Sequence, residues 1–188
     1  MNIPKTAKLG LACAAALSYS VIPTYLLKYR WIFRSRQRAS REEKVLYLTF
    51  DDGPSSFTDR LLDCLESNNA KATFFMVGKE IEYFSDQVKR METLGCELGN
   101  HTYSHTDLAT LAPEDMSAEI AGVDELLTEL TGHGATVVRP PYGSVNSSVK
   151  ETVGTPMILW SIDTLDWESQ DPQKIVDTTL SQVEDGSI

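Results

Sequence analysis

The chain alternates short apolar runs with longer stretches of helical periodicity from about residue 44 onward. Short apolar runs bounded by turn residues are typical of strands in a buried sheet. We therefore predict five strands and the beginning of a sixth. These lie at residues 44–50, 72–77, 96–100, 136–138, 157–162 and 186–188.

Between these runs, apolar positions recur at helical spacing. The clearest helix begins at Pro113, where the missing N–H costs nothing at the first helical position, and Gly132 is expected to end it. Its single apolar stripe consists of Met116, Ile120, Val123, Leu127 and Leu130. We predict further helices at residues 58–66, 85–95, with Ser85 as N-cap, 147–153 and 171–183.

Strands that alternate with helices predict an α/β fold with a parallel sheet, either open or closed into a barrel. The polar clusters follow the predicted strands, at the edge where both kinds of α/β protein build their sites. They are Asp51 and Asp52 after the first strand, His101 and His105 after the third, Arg139 after the fourth, and Asp163 and Asp166 after the fifth.

The N-terminal region differs from the rest of the chain. Residues 1–41 contain no Asp or Glu, and residues 9–27 are uncharged and mostly apolar, close to the length of about 20 residues that a membrane helix needs. We expect an uncleaved membrane anchor and basic linker at 1–41, followed by one domain at 42–188. A cleaved signal peptide that begins with Lys5 and Lys8 is the alternative.

The charge of the domain restricts its partners. Residues 1–41 hold 8 of the 17 Lys and Arg residues, so residues 42–188 carry 9 basic and 27 acidic residues, a formal charge of 9 − 27 = −18. Such a domain repels DNA and RNA. We expect no nucleic-acid partner and a neutral or cationic substrate.

Asp51, Asp52, His101 and His105 suggest a metal site. Two His and one carboxylate leave coordination positions open, as catalytic metal sites do. The i, i+4 spacing of the two His is weak evidence alone, but adjacent carboxylates need a compensating positive charge. Zinc is the default metal, and cobalt, nickel or iron(II) also suit these ligands.

Residues 139–143, Arg-Pro-Pro-Tyr-Gly, form a second candidate element. Two prolines fix φ, and the glycine permits a tight turn that brings backbone N–H groups close to a ligand. Arg139 suits a charge-assisted bond to a nearby carboxylate. A simple tight connection between two elements is the alternative.

Four segments together resemble a known family. Residues 49–54 (TFDDGP), 101–105 (HTYSH), 139–143 (RPPYG) and 163–167 (DTLDW) are similar, in order and spacing, to the first four motifs of the polysaccharide deacetylases. This family is also called the NodB-homology family or carbohydrate esterase family 4. The resemblance implies a distorted, incomplete β/α (TIM-like) barrel, here truncated before its last strand.

The resemblance also implies an activity, metal-dependent removal of acetyl groups from N-acetylglucosamine-type sugars in a polysaccharide such as peptidoglycan or chitin. It assigns Asp52, His101 and His105 to the metal. Asp51 would be the general base held by Arg139, and the Tyr142 backbone N–H would stabilise the oxyanion. The sugar groove would be lined by Pro140, Pro141, Tyr142 and Trp167, and Asp166 and Asp163 would orient the general acid.

The family's fifth motif, a hydrophobic strand ending in the His that protonates the leaving amine, has no counterpart here. The chain ends at Ile188, where that strand should begin, and the remaining histidine, His133, lies between two glycines. A carbohydrate-binding module with weak or no activity is therefore the alternative function. A two-carboxylate glycosidase using Asp51 with Asp163 or Asp166 ranks lower, because it leaves the His pair unexplained.

The location of the domain has two opposing indications. The basic residues after the apolar segment would keep the domain in the cytoplasm by the positive-inside tendency. Enzymes that act on wall polysaccharides work outside the cell. We expect the domain on the extracellular face, membrane-anchored, or secreted if the N-terminal segment is cleaved.

Overall fold

The computed structural model describes residues 45–188 and contains one parallel sheet of four strands in the order β1-β2-β3-β4. The strands are β1 (Thr49–Gly53), β2 (Thr73–Met76), β3 (Glu97–Asn100) and β4 (Val137–Val138). The α/β class and the parallel sheet are confirmed. β1 lies further along the chain than predicted, because a register irregularity after Phe50 carries the strand to Gly53.

Six α-helices connect and cover these strands in the described part of the chain. They are α1 (Thr58–Ser67), α2 (Gly78–Tyr83), α3 (Ser85–Thr93), α4 (Pro113–Thr131), α5 (Ser147–Thr152) and α6 (Pro172–Gln182). Short 3-10 helices span Leu108–Thr110 and Pro141–Gly143. Helix α4 begins at Pro113 and ends before Gly132, whose φ is 87°, as predicted.

Two local predictions were wrong. Ser85 is the first residue of α3 and Phe84 is its N-cap, without a side-chain hydrogen bond. Met157 forms a single parallel bridge with Val138 in place of a fifth strand. The ladder stops there because its next hydrogen bond would need the N–H of residue 140, and Pro140 has none. The carbonyls of Ile158 and Leu159 accept hydrogen bonds from the Arg139 side chain.

The last three residues lie between the two edges of the sheet. Ser187 forms a parallel bridge with Leu46, ahead of β1, and the Tyr47 N–H donates to the Ser187 carbonyl over 2.9 Å. On the other side, the Ile188 carbonyl accepts from the N–H groups of Ser161 and Ile162 at 3.0 and 3.1 Å. Together with the Val138–Met157 bridge, these contacts link the sheet into a ring.

The two faces of the sheet have separate cores, as alternating side chains of a strand require. All four residues of β2 are buried, which is typical of a parallel strand covered on both faces. Phe74 and Met76 pack outward against the helices, in a cluster with Leu62 and Val88. Phe75 points the other way, and the small inner cluster comprises Phe75, Val137, Ile158 and Ile188, with Tyr47 packed against it.

Among residues 45–188, no helix combines the length and apolar character that crossing a membrane requires. The predicted membrane segment at 9–27 and the predicted domain boundary at 41/42 lie outside the described residues, and both stay predictions.

The inner core gives a first test. Phe75 is fully buried, whereas Phe57 is 54% exposed. We expect Phe75→Ala to lower the free energy of unfolding by about 3–5 kcal/mol, because it leaves a cavity, and Phe57→Ala to lower it by less than about 1 kcal/mol. Urea denaturation of both variants measures the difference. Equal losses would contradict the inner core described above.

Candidate active site

The ends of β1, β3 and β4 meet at one edge of the sheet and bring three sequence-distant groups together. Asp51 and Asp52 lie at the end of β1, His101 follows β3, and Arg139 follows β4. Parallel neighbours present their carboxyl ends on the same side, which explains why Asp51 and Arg139, 88 positions apart, come into contact.

Asp52, His101 and His105 converge on one point. The Nε2 atoms of His101 and His105 lie 3.3 and 3.1 Å from Asp52 Oδ1. One ligand atom of each residue lies within 4.8 Å of the other two. These are the three residues that the family resemblance assigns to the metal, and they are called the triad below. Two nitrogens with one carboxylate oxygen suit zinc and similar divalent ions.

The tautomer of His101 is set by a backbone carbonyl. His101 is buried, and its Nδ1 lies 2.5 Å from the carbonyl oxygen of Arg139. Since a carbonyl only accepts, Nδ1 carries the proton and donates it. The Nε2 atom that faces Asp52 then has a free lone pair, the form in which histidine binds metals.

Asp52 shows that a cation fits between these residues. Its Oδ1 atom is buried and accepts no hydrogen bond within residues 45–188, although two imidazole nitrogens face it. Burial raises the pKa of Asp52, but His101 and His105 outweigh this effect and hold the pKa well below its usual range. Asp52 in turn raises the pKa of His105. A bound divalent ion would satisfy all three ligands at once.

Asp51 forms a buried ion pair with Arg139. The Arg139 Nη1 donates to Asp51 Oδ1 over 2.6 Å, and the two side chains are 3% and 6% exposed. Nη1 also donates to the Thr49 hydroxyl over 2.9 Å. Burial lowers the pKa of Arg139, and the charge of Asp51 counteracts that shift.

Thr49 was not predicted as a partner of this pair. A period of two places Thr49 on the same face of β1 as Asp51, and this alternation is the signal that points to it.

Several residues at the site have left-handed backbone conformations. Asp52, Thr102, His105 and Tyr142 have φ values of 65°, 68°, 60° and 61°. Such conformations cost about 1–3 kcal/mol each in residues other than glycine, and they persist where the surrounding contacts impose them. The conformation of the loop that carries both histidines is therefore imposed by its neighbours.

The Arg-Pro-Pro-Tyr-Gly segment lies beside the histidines. Pro140 and Pro141 are buried, and Tyr142 is 44% exposed. The edge of the Tyr142 ring contacts His105, with the ring centroids 5.0 Å apart. Tyr142 is thus next to the triad, as its predicted role requires.

Residues 163–167, after the fifth predicted strand, form hydrogen bonds among themselves. Asp163 Oδ1 accepts from the Leu165 N–H, and Asp166, which is 5% exposed, accepts from the Thr164 hydroxyl. Trp167 is 39% exposed. Within the described residues, no hydrogen bond, ion pair or ring contact joins Asp166 or Trp167 to the triad.

A cavity of about 280 Å³ lies on the helix side of β1. Asp51 and Asp52 belong to its wall, together with mainly apolar residues that include Phe50, Phe57 and Leu61. Pro140, Pro141 and Trp167 do not line it. The cavity is therefore separate from the residues that were predicted to line the sugar groove.

Comparison with known proteins agrees with this geometry. A family model described as "Polysaccharide deacetylase" matches residues 38–155. The chain belongs to the polysaccharide deacetylase family. It is 40% identical over 145 residues to a peptidoglycan-N-acetylglucosamine deacetylase of Bacillus cereus, with 75% of this chain and 53% of that protein covered. It is 42% identical over 130 residues to a chitin deacetylase of Pestalotiopsis sp, with 66% and 44% covered.

The fold of this family member also matches a solved structure. Peptidoglycan deacetylase PdaC from Bacillus subtilis aligns with a TM-score of 0.76 and 35% identity, covering 78% of this chain and 73% of that chain. The chain spans about half the length of the curated relatives named above. The family and the α/β fold are thus shown, and the predicted roles of individual residues stay predictions.

The arrangement of the triad predicts that Zn²⁺ binding depends on His105 and not on the distant His133. We expect His105→Ala to weaken Zn²⁺ binding by more than about 100-fold, since even the outer partners of a metal ligand contribute roughly 10- to 100-fold. His133→Ala is the matched control, because His133 is exposed and paired with Glu92. Titration calorimetry with Zn²⁺ measures both. If the two variants bound zinc equally well, the triad would not be the metal site.

Proposed function

We propose that the protein is a metal-dependent deacetylase that hydrolyses the N-acetyl group of N-acetylglucosamine-type sugars in a polysaccharide such as peptidoglycan or chitin. The observation that carries this proposal is the adjacent pair Asp51 and Asp52. One carboxylate faces two histidines and the other is held by Arg139. The names of the B. cereus and Pestalotiopsis relatives support the substrate class.

The proposed metal ligands are Asp52, His101 and His105, and zinc is the first candidate. When bound, such an ion supplies a Lewis acid for the acetyl carbonyl and lowers the pKa of water toward about 7. His101 contributes through Nε2, because its Nδ1 proton is donated to the Arg139 carbonyl. Cobalt, nickel and iron(II) suit the same ligands.

Asp51 is the proposed general base. Arg139 holds its Oδ1, which fixes the carboxylate beside Asp52 and leaves the other oxygen to accept a proton from the attacking water. The water oxygen bonds to the acetyl carbon, the C–N bond breaks, and acetate and a sugar amine are formed. The Tyr142 N–H is proposed to stabilise the oxyanion that develops between these events.

The remaining predicted residues have supporting roles in this proposal. Pro140, Pro141 and the exposed rings of Tyr142 and Trp167 would line the sugar groove. Asp166 and Asp163 would orient the group that protonates the leaving amine. His133 is not that group, because it lies on the exposed loop after α4, with Nε2 3.3 Å from Glu92.

Acetate release tests the function. We expect the protein to release acetate from N-acetylglucosamine oligomers, and chelation to abolish this release. Asp51→Asn should lower the rate by about 10²- to 10⁴-fold, the usual contribution of a general base, without weakening Zn²⁺ binding to the same extent. Asp86→Asn is the control, because the Asp86 side chain is 93% exposed.

Three outcomes would overturn the proposal. Acetate release that resists chelation would exclude the metal mechanism. New reducing ends without acetate would indicate a glycosidase, and oligosaccharide binding without acetate release would indicate a binding module.

We also propose that residues 1–41 anchor the domain on the extracellular face of the membrane. The support is the apolar segment 9–27 and the wall polysaccharides named for the relatives. With a C-terminal epitope tag, we expect protease added to intact cells to remove the tag from the membrane fraction. A tag that resists protease until the cells are lysed would place the domain in the cytoplasm.

A further inference from the structure

The loop that carries the two histidines is tied to helices on both sides. The N–H groups of Gly78 and Lys79, at the start of α2, donate to the carbonyls of Thr102 and Tyr103 over 3.1 and 3.0 Å. The Tyr103 N–H donates to the carbonyl of Glu119 on α4, also over 3.0 Å. The backbone between the two histidines is therefore held by α2 and α4.

The Glu119 carboxylate adds a second connection through Ser104. Glu119 Oε2 accepts the Ser104 N–H over 2.8 Å, and Oε1 lies 2.7 Å from the Ser104 hydroxyl. The same hydroxyl lies 2.6 Å from the Thr106 hydroxyl. Both oxygens of Glu119 are thus used on the residue directly before His105.

The Tyr103 side chain packs against Gly78 on α2 and Gly122 on α4. A Cβ added to Gly78 would lie 2.4 Å from the Tyr103 ring, and one added to Gly122 would lie 3.2 Å from it. The Tyr103 hydroxyl donates to Glu82 over 2.8 Å. These contacts fix the loop as far as residue 103, and Glu119 extends the support to Ser104.

His105 needs this support more than His101 does. The His101 ring is buried and oriented by the Arg139 carbonyl, whereas the His105 side chain is 30% exposed. Within residues 45–188, no hydrogen bond to a backbone carbonyl orients the His105 ring. Its backbone is left-handed, with φ of 60°, and follows directly on Ser104, which Glu119 holds.

We propose that Glu119 is a positioning residue for the metal centre. It holds Ser104, and thereby places His105 Nε2 opposite Asp52. This inference rests on the proposed function, because it assumes that the triad binds a metal. Glu119 acts through hydrogen bonds to the loop and does not touch the metal or the substrate.

Metal affinity and the Co²⁺ absorption spectrum test this role in the protein. We expect Glu119→Ala to weaken Zn²⁺ binding on the order of 10-fold, as loss of an outer partner does, and to change the spectrum of bound Co²⁺. Glu125→Ala, on an exposed position of the same helix, should bind both ions like the wild type.

Glu119→Gln separates position from charge. Its amide oxygen can accept the Ser104 N–H, and its NH₂ can donate to the Ser104 hydroxyl, which then donates to Thr106. We therefore expect this variant to restore most of the affinity. If it binds Zn²⁺ as weakly as Glu119→Ala, the effect is one of charge and the positioning role is overturned.

Ser104→Ala keeps the test decisive if Glu119→Ala does not fold. It removes one of the two bonds and should give a smaller loss of Zn²⁺ affinity. If Glu119→Ala does fold, the two losses of Zn²⁺ affinity should not add in the double variant Ser104→Ala/Glu119→Ala, because both substitutions remove the same contact between Ser104 and Glu119. Additive losses, or wild-type affinity in Glu119→Ala, would overturn the inference. A wild-type protein that binds no Zn²⁺ would overturn the proposed function itself.

Discussion

The buried guanidinium of Arg139 is the constraint on which the rest of the site depends. Arg139 is 2% exposed, and a buried charge is tolerated only when it is paired and hydrogen-bonded. Its side chain therefore bonds to Asp51 and Thr49 on β1 and to the carbonyls of Ile158 and Leu159. One residue at the end of β4 thus connects three segments across the interior of the sheet.

The same residue gives the two adjacent carboxylates different environments. β1 is irregular between Phe50 and Gly53, and Asp52 has a left-handed backbone with φ of 65°, so Asp51 contacts Arg139 while Asp52 faces the two histidines. The Arg139 backbone carbonyl meanwhile orients His101 toward Asp52. The division between a proposed base and a proposed metal ligand therefore follows from the irregular end of β1 and from one arginine that contacts both Asp51 and His101.

The sequence predicted the features that leave a local pattern. The apolar stripe of α4 repeats with the helical period, and β2 and β3 are short runs bounded by turn residues. Two His and one of the adjacent carboxylates were recognised because metal ligands are a small set of residue types, and the family resemblance chose Asp52. Helix α2 was missed because six residues, Gly78–Tyr83, are too few to show a helical period.

Other features depend on contacts that no local pattern encodes. Thr102 adopts positive φ although it is a β-branched residue, because the loop is held by hydrogen bonds from α2 and α4. Glu119 lies 15 residues after Ser104, on a helix where an acidic residue is ordinary. The fifth predicted strand is reduced to one bridge because Pro140 has no N–H to continue the ladder, and the free Ile158 carbonyl accepts a hydrogen bond from the Arg139 side chain.

The shape of the guanidinium group explains how the Arg139 side chain can bond to several acceptors and also pack on aromatic rings. Its N–H groups lie in one plane, so Nε, Nη1 and Nη2 reach acceptors in different directions while the flat faces remain free for apolar contact. Phe75 uses one of those faces, with Cζ of Arg139 4.1 Å from the ring centroid, and Trp160 lies 5.5 Å away. A lysine ammonium has three donors at one point and no flat face, so it could not hold Asp51 and two carbonyls and also pack on Phe75. The inner core and the candidate base therefore form one structural unit.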